Sequence, residues 1–275
     1  MLLTPDLAEA IRRAEIAGVR CGLATAQRLR PAAGIASIEI AGGLATFFGP
    51  DSPLSEAFGV GTGGPVTTGE IAAISEFYES RDSTPRVFVS PLAHPTLGAG
   101  LAAAGYAPAE YENVLASDVF EYARRGDRVR GAMDLNAWAR TSAAGFLDGG
   151  AVTPDDEFLA LTIAHSDGAI AVEAVVDGIT AATAAMDARD GCAALFAAST
   201  LPAFRGKGLH LALIADRIAR ARDAGARFMR ATARPGSSSE RNFHRCGFTT
   251  LYTRSLWERV TEGGRGRAWC LHGAS

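Results

Sequence analysis

One stretch of the sequence joins a strand-like segment, a glycine turn and an amphipathic helix without interruption. Residues 192–200 (CAALFAAST) have the apolar content of a buried strand, and residues 202–214 (PAFRGKGLHLALI) follow at once. A strand that ends in glycines and opens a helix directs several backbone N–H groups at one point, where the positive end of the helix dipole favours an anion. The stretch predicts an α/β unit with a phosphate-binding turn. The alternative is an ordinary turn with solvated basic side chains.

The helix after this turn is predicted to have one apolar and one polar face, and to end near Gly225. The residues predicted to face a core are Leu211, Ile214, Ala215, Ile218 and Ala221. The residues predicted to form a solvated stripe are Asp216, Arg217, Arg220 and Asp223.

The rest of the chain shows short helices and strands on both sides of a region rich in arginine and glycine. A helix over about residues 6–29 precedes two strand patterns, a glycine-rich patch and a helix that Thr67 or Thr68 caps. Residues 121–134 are interpreted as a linker, after which Asp134 caps another helix. Two further strands are predicted to form a hairpin at Asp177-Gly178.

Two parts of the chain have the same order of elements. Val87 lies 18 residues before Gly105, and Met229 lies 18 residues before Gly247. Each interval contains a strand pattern, a short helix pattern and a corner of glycine and an aromatic residue. The equal spacing predicts a duplicated unit. Coincidence is the alternative, because small α/β units share these lengths.

Composition excludes several classes of protein. The 275 residues carry a net charge of -3 and are 48% hydrophobic, which indicates a soluble globular protein without the basic field of a nucleic-acid or membrane-surface binder. No segment has the length and apolarity of a spanning helix, and the N-terminus does not resemble a secretory signal. The four cysteines and five histidines are dispersed. We therefore expect reduced thiols, a cytoplasmic location and no structural metal.

Other glycine and nucleophile motifs receive less support. Gly59–Gly64 formally fits GxGxxG, but it lacks the preceding buried strand and the enclosing βαβ unit of a dinucleotide site. The sequence contains no GxxxxGK[ST] and no GxSxG, which argues against a P-loop ATPase and a common serine hydrolase.

The stretch STLPAFRGKGLHLAL resembles the acyl-CoA diphosphate loop of the GNAT superfamily of N-acetyltransferases, written [RQ]-x-x-G-x-[GA]. Arg205, Gly208 and His210 stand at its three defined positions, and His210 replaces the usual small residue. Residues 242–257 (NFHRCGFTTLYTRSLW) resemble the last helix and the Gly-Phe corner of these enzymes. The resemblance covers about residues 134–260, and the first half matches only through the duplicated unit.

This resemblance implies an α+β fold with αβα layers, in two tandem GNAT-like domains that each contain a mixed, mostly antiparallel sheet flanked by helices. Residues 1–125 would be a degenerate N-terminal copy, and residues 126–275 the catalytic domain that binds acyl-CoA. Gly59–Gly64 would then be the remnant of the first copy's cofactor loop.

The resemblance also implies the cofactor contacts. They are Ala198, Ser199, Thr200, Arg205, Gly206, Lys207, Gly208, Leu209, His210, Ser239 and Asn242. For Ser239 and Asn242, solvated surface positions are the alternative. The imidazole of His210 is expected either to donate a hydrogen bond to a phosphate or to point outward.

The catalytic groups are less evident from the sequence. The place at which family members often carry a tyrosine that protonates the leaving thiolate is Phe243. Glu173 is a candidate base, because a carboxylate within an apolar strand is a stronger base when it is buried; a solvent-facing glutamate is the alternative. Tyr252 is a candidate proton donor or pocket residue, against a packing role. Asp187 is a weaker candidate, and a water chain could move the proton instead.

The sequence therefore predicts an acyl-CoA-dependent N-acyltransferase that uses acetyl-CoA and an amine of a small molecule or peptide. The alternatives are a non-catalytic acyl-CoA-binding or interaction module on the same scaffold, and a generic α/β domain. The acceptor, the acyl chain and the oligomeric state are left open.

Overall fold

The computed structural model describes residues 1–50, 52–121, 128–148 and 150–260. Its helices are α1 Pro5–Leu29, α2 Thr68–Glu79, α3 Thr96–Ala103, α4 Leu135–Phe146, α5 Pro154–Ala164, α6 Leu209–Asp223 and α7 Ser238–Arg245. Its strands are β1 Ala36–Ile40, β2 Gly43–Phe47, β3 Ala57–Phe58, β4 Arg86–Val89, β5 Tyr106–Ser117, β6 Val129–Gly131, β7 Ile170–Val176, β8 Ile179–Arg189, β9 Cys192–Thr200, β10 Phe228–Ala233 and β11 Thr249–Arg259.

The chain forms two compact units, and each unit is built from separate stretches. Among the described residues, unit 1 contains residues 1–25 and 113–251, and unit 2 contains residues 26–112 and 252–260. The units are thus interleaved along the sequence. The division into a degenerate N-terminal domain, 1–125, and a catalytic domain that binds acyl-CoA, 126–275, stays a prediction.

The two units repeat one strand pattern. In unit 2, β1 and β3 flank β2 in antiparallel pairs, β3 is parallel to β4, and β4 is antiparallel to β11. In unit 1, β7 and β9 flank β8 in antiparallel pairs, β9 is parallel to β10, and β10 is antiparallel to β5. Each unit therefore has the mixed, mostly antiparallel sheet that was predicted.

The last strand of this pattern comes from the other half of the sequence in both units. Strand β5 follows α3 along the chain, yet its residues 113–117 pair with β10. Strand β11 follows α7, yet its residues 255–258 pair with β4. This exchange is the reason that the units are interleaved.

Glycine corners end the two short helices of the repeat. Gly105 follows α3 with a φ of 83°, and Gly247 follows α7 with a φ of 84°. Only glycine adopts this region without strain, which explains why the two positions carry the same residue. The predicted hairpin is also confirmed, because Asp177 and Gly178 both have positive φ between β7 and β8.

The sheet of unit 1 has a helical layer on each face. Trp138 of α4 and Ala160 of α5 pack with Ala185 of β8 on one face. On the other face, Ile214 of α6 and Phe243 of α7 pack with residues that include Met186, Met229 and Leu195. Trp138 also donates a hydrogen bond from Nε1 to the carbonyl of Val172 at 2.9 Å. The αβα layering is therefore as predicted.

Three elements were absent from the prediction. One is β3, a two-residue buried strand directly before Gly59, so the expectation that the glycine patch lacks a preceding buried strand is wrong. The helix α5 begins with Pro154 after a capping box in which Thr153 and Asp156 exchange hydrogen bonds. The strand β6 lies inside the predicted linker 121–134 and pairs with β7. Residues 122–127 of that linker lie outside the described residues.

Candidate functional site

Two glycines shape the turn between β9 and α6. Pro202–Phe204 form a 3₁₀ turn, and Gly206 and Gly208 follow with φ of 75° and 76°. The backbone of a residue with a Cβ is strained at such φ values, so both positions favour glycine. A Cβ added to Gly206 would meet no atom within 4 Å, and the turn therefore faces open space.

The backbone N–H groups of this turn are left without intramolecular partners. Within the described part of the chain, no amide of residues 206–211 donates a hydrogen bond; the first to do so is Ala212, to the Gly208 carbonyl at 3.1 Å. The N-cap Gly208 offers no side chain, whereas side chains cap the N-termini of α2, α4, α5 and α7. The N-terminus of α6 is therefore open to an anionic ligand.

The two cations of the turn are used differently. The Nζ atom of Lys207 lies 4.8 Å from the ring centroid of Phe204. The guanidinium of Arg205 donates to the carbonyls of Thr200 and Gly145 and forms an ion pair with Asp148. Arg205 therefore joins the turn to the end of α4. Its predicted contact with a cofactor stays a prediction, as does that of Lys207.

Strand β9 contains a bulge just before the turn. Ser199 pairs with Thr183, but Phe196 pairs with Ala185, so β9 has one extra residue between these positions. Ala197 lies in the bulge with a φ of 50°. The parallel pairing of β9 with β10 ends at Leu195 and Ala231, so the bulge lies beyond that pairing.

Of the predicted contacts, Ala198 lies in this bulge, and Ser199 and Thr200 follow it. The hydroxyl of Ser199 donates to the Ser142 carbonyl at 3.0 Å and lies 3.1 Å from the Thr183 hydroxyl. This side chain is therefore engaged with α4 and β8, and any contact of these residues with a ligand would use their backbone.

His210 is buried, so the expectation of an outward-pointing ring is wrong. Its Nδ1 lies 3.1 Å from Nδ2 of Asn242, and its ring meets Phe243 edge to face at 5.8 Å. Arg245 donates to Oδ1 of Asn242, which leaves the amide NH₂ to donate to Nδ1. The neutral ring therefore carries its proton on Nε2, and this buried atom has no partner within the described residues.

The environment of His210 keeps the imidazole neutral. Burial, together with the positive charge of Arg217, lowers the pKa of His210 to about 3. A charged imidazolium at this position would lose its hydration without gaining a counter-charge. The ring can therefore act as a neutral donor through Nε2–H, and its predicted contact with a phosphate stays a prediction.

The helix α7 carries the other predicted contacts. Ser239 is 3% exposed, so the alternative of a solvated surface group is wrong for this residue. Asn242 is partly buried between His210 and Arg245. Phe243, at the place of the family's tyrosine, is 2% exposed and packs against Phe248 with ring centroids 5.0 Å apart.

The candidate base Glu173 lies on β7 and is 3% exposed, so the solvent-facing alternative is wrong. Its Oε1 accepts from Arg130 at 2.8 Å, and its Oε2 accepts from Thr180 at 3.2 Å. Both oxygens of this carboxylate are therefore engaged. Asp187 is buried at the end of β8 and is paired with Arg189 at 2.9 Å.

Tyr252 belongs to unit 2, in which it is a partly buried residue of β11. The structure therefore brings together the turn, the bulge, His210 and α7 within unit 1. The predicted role of Tyr252 stays a prediction.

The glycine patch of unit 2 occupies the equivalent place in the repeat, between β3 and α2. There the N-terminus of α2 is closed by its own side chains. Thr67 accepts from the Glu70 amide at 3.2 Å, and Glu70 accepts from the Thr67 amide at 2.8 Å. These contacts with Thr67 lower the pKa of Glu70, so a carboxylate occupies the position at which an anion would bind.

Arg217 was not recognised as a functional candidate, because an arginine on a helix is usually exposed to solvent. Arg217 was predicted to lie on the polar stripe of α6, but it is fully buried. The helical spacing places it on the same face as His210, Leu213 and Ile214, which are also buried. The periodicity of α6 was therefore a better guide than the charge of this side chain.

Neither a metal cluster nor a spanning helix is found in the part of the chain that the structure describes. No group of three or more His, Cys, Asp and Glu residues there could hold a metal ion. No helix there combines the length and apolarity needed to cross a bilayer.

Comparisons with known proteins agree with this geometry. Residues 135–248, which include the turn, β9, α6 and α7, match the model of the Acetyltransferase (GNAT) family. A search of the curated proteins found no match.

Solved structures with a similar fold cover nearly the whole chain. A GCN5-related N-acetyltransferase from Kribbella flavida, 19% identical with a TM-score of 0.61, matches over 91% of this chain and 97% of its own. One from Sphaerobacter thermophilus is 14% identical with a TM-score of 0.55, over 94% and 95%. A tandem GNAT protein from the clavulanic acid biosynthesis pathway is 14% identical with a TM-score of 0.57, over 88% of each chain. Residues 135–248 are therefore similar to the GNAT acetyltransferase family, and the chain has a fold similar to that of GNAT proteins, one of them a tandem protein.

Proposed function

We propose that unit 1 is an acyl-CoA-dependent N-acyltransferase, which transfers the acetyl group of acetyl-CoA to an amine of a small molecule or peptide. The observation that supports it most directly is the row of unpartnered amides at residues 206–211, on a helix without a side-chain cap. Such a row matches the hydrogen-bonding needs of a diphosphate.

The reaction needs the protein to hold the cofactor, to polarise the thioester carbonyl and to assist the proton transfers. The amine attacks the carbonyl carbon of the thioester, the C–S bond breaks, and the thiolate gains a proton while the amine loses one. We assign the diphosphate to the turn and the polarisation of the carbonyl to backbone N–H groups at the bulge of β9. Glu173 as base and Tyr252 as proton donor remain our proposals for the proton transfers.

The contrast between the two turns argues for one cofactor site rather than two. In unit 2, Glu70 places a carboxylate at the start of α2 and accepts a hydrogen bond from the Thr67 amide. A diphosphate bound there would find the Thr67 amide already engaged, and the carboxylate of Glu70 would repel it. We therefore assign cofactor binding to unit 1 alone.

Substitutions of Gly208 test this assignment. Gly208→Asp gives α6 an N-cap carboxylate like that of a self-capped helix, and Gly208→Asn has nearly the same shape without the charge. Both residue types tolerate positive φ better than other side chains. We expect Gly208→Asp to fold and to bind CoA at least tenfold more weakly than Gly208→Asn, measured by isothermal titration calorimetry.

The matched control is Gly63→Asp in the exposed glycine patch of unit 2, where an added Cβ meets no atom within 4 Å. We expect this variant to bind CoA like the wild type. Equal affinities of Gly208→Asp and Gly208→Asn, or a loss of binding in Gly63→Asp, would contradict the assignment.

Phe243 favours a second candidate function, a module that binds acyl-CoA without turning it over. Its buried ring carries no hydroxyl at the place from which family members often protonate the thiolate. The release of free CoA from acetyl-CoA in the presence of a panel of amines separates the two candidates. Release with at least one amine supports the enzyme, and tight binding without release from any amine supports the binding module.

A further inference from the structure

Arg217 is a fully buried arginine in the middle of α6. Its side chain is completely enclosed, and within the described residues no carboxylate lies within ion-pair distance of it. Burial lowers the pKa of Arg217 to about 9, so the guanidinium is still positively charged at neutral pH. A buried charge without a direct ion pair is costly, even though the negative charge of Asp216 favours the charged form here, and the hydrogen bonds that Arg217 makes indicate its role.

These hydrogen bonds end at the bulge of β9. Nη1 of Arg217 donates to the carbonyl of Phe196 at 3.2 Å and to that of Ala185 at 3.0 Å. Phe196 and Ala185 are the paired residues at which the register shifts. A bulge takes backbone groups out of the regular ladder, and buried carbonyls then need another donor. One guanidinium nitrogen supplies it for both strands.

The same side chain is fixed to its own helix. Nε of Arg217 donates to the carbonyl of Leu213, one turn earlier in α6, at 3.0 Å. The guanidinium therefore points back toward the N-terminus of α6, as side chains on helices generally do. One rigid helix thus carries both the open turn at its start and the donor that holds the bulge.

We infer that Arg217 is a positioning residue that holds the bulge of β9 in the shape in which its backbone N–H groups meet the thioester carbonyl of an acyl-CoA. The link from this bulge to the thioester rests on the proposed function. The link from Arg217 to the bulge rests only on the hydrogen bonds above. The two links can therefore be tested separately.

The first test uses the full-length protein without any ligand. Arg217→Met keeps an unbranched apolar stem but removes every donor, and Arg217→Lys keeps the charge and one donor nitrogen. We expect Arg217→Met to shift the backbone amide resonances of Ala197 and Ala198 and to accelerate their hydrogen exchange at least tenfold. Arg217→Lys is expected to lie between Arg217→Met and the wild type.

The matched control is Arg220→Met on the same helix. Arg220 is partly exposed and pairs with Asp216 at 2.6 Å, away from the bulge contacts. This variant is expected to leave the Ala197 and Ala198 amides at their wild-type positions. Unchanged amides in folded Arg217→Met, or in Arg217→Lys if the methionine variant does not fold, would overturn the inference.

The second test measures what the bulge does to the substrate. Bound acetyl-CoA labelled with ¹³C at the thioester carbonyl is expected to show a lowered C=O stretching frequency in the wild type. In Arg217→Met this frequency should return toward that of free acetyl-CoA. The kcat should fall at least tenfold, while the affinity for CoA, which lacks the acyl carbonyl, changes less than threefold.

The outcomes separate the two proposals. Wild-type protein that fails to bind acetyl-CoA would refute the proposed function, and the amide resonances would still decide whether Arg217 holds the bulge. If acetyl-CoA binds, and Arg217→Met alters the bulge but changes neither the carbonyl frequency nor kcat, the positioning role is overturned.

Discussion

His210 should make the stability of the protein depend on pH in a defined range. The pKa of this histidine falls from 6.5 in the unfolded chain to about 3 in the folded protein, chiefly because the ring is buried. Between pH 6.5 and about 3, His210 therefore binds a proton in the unfolded chain but not in the folded protein. The stability associated with the neutral ring is fully present above pH 6.5 and is lost as pH falls from 6.5 toward 3.

The size of this effect follows from the same two values. Each pKa unit corresponds to about 1.4 kcal/mol, so His210 alone should remove about 2 kcal/mol of the free energy of unfolding between pH 7 and pH 5. His210→Asn removes the titration and keeps an acceptor for Asn242, because its Oδ1 replaces Nδ1. We expect the difference between pH 7 and pH 5 to be about 2 kcal/mol smaller in this variant than in the wild type.

Urea unfolding at the two pH values measures this difference, because other titrating groups are common to both proteins. His210→Gln, which also does not titrate, should show the same reduction if the effect comes from the lost proton rather than from a change of shape. The reasoning is refuted if wild type and His210→Asn lose equal stability between pH 7 and pH 5.

Two further predictions concern other parts of unit 1. Gly145→Ala would place a Cβ 2.5 Å from Oγ of Ser199, so we expect thermal or urea unfolding to show a loss of about 1–3 kcal/mol. The control Gly98→Ala, also a helical glycine but with no atom within 4 Å of the added Cβ, should be neutral or stabilising. Glu173→Gln should lower kcat at least about 100-fold if Glu173 is the base; an unchanged kcat would assign the proton transfer to another group.

Local patterns in the sequence were sufficient for most elements. The glycine turn, the caps Thr67 and Asp134 and the hairpin at Asp177-Gly178 depend on neighbouring residues, and the structure confirms each of them. The repeated spacing to Gly105 and Gly247 was also readable, because both corners need the same backbone conformation.

The parts that could not be predicted depend on residues far apart in the sequence. No local pattern near β5 indicates that its residues 113–117 pair with β10 rather than with strands of the first half. The burial of Arg217 depends on a bulge in another element, because the carbonyls of Phe196 and Ala185 there accept hydrogen bonds from its guanidinium. The closed N-terminus of α2 was readable in part, since Thr67 and Glu70 have the spacing of a capping box.

The exchange of strands sets a lower limit on the length of chain that can fold. A shortened protein that began near residue 126 would contain the whole family match, yet it would lack residues 113–117, and β10 would become an edge strand. It would also lack Glu15, which lies 3.6 Å from Arg230 on β10. Exposed edges pair readily with other chains, so such a fragment would be prone to association. Loss of either half in evolution would therefore also remove one strand from the sheet of the other unit.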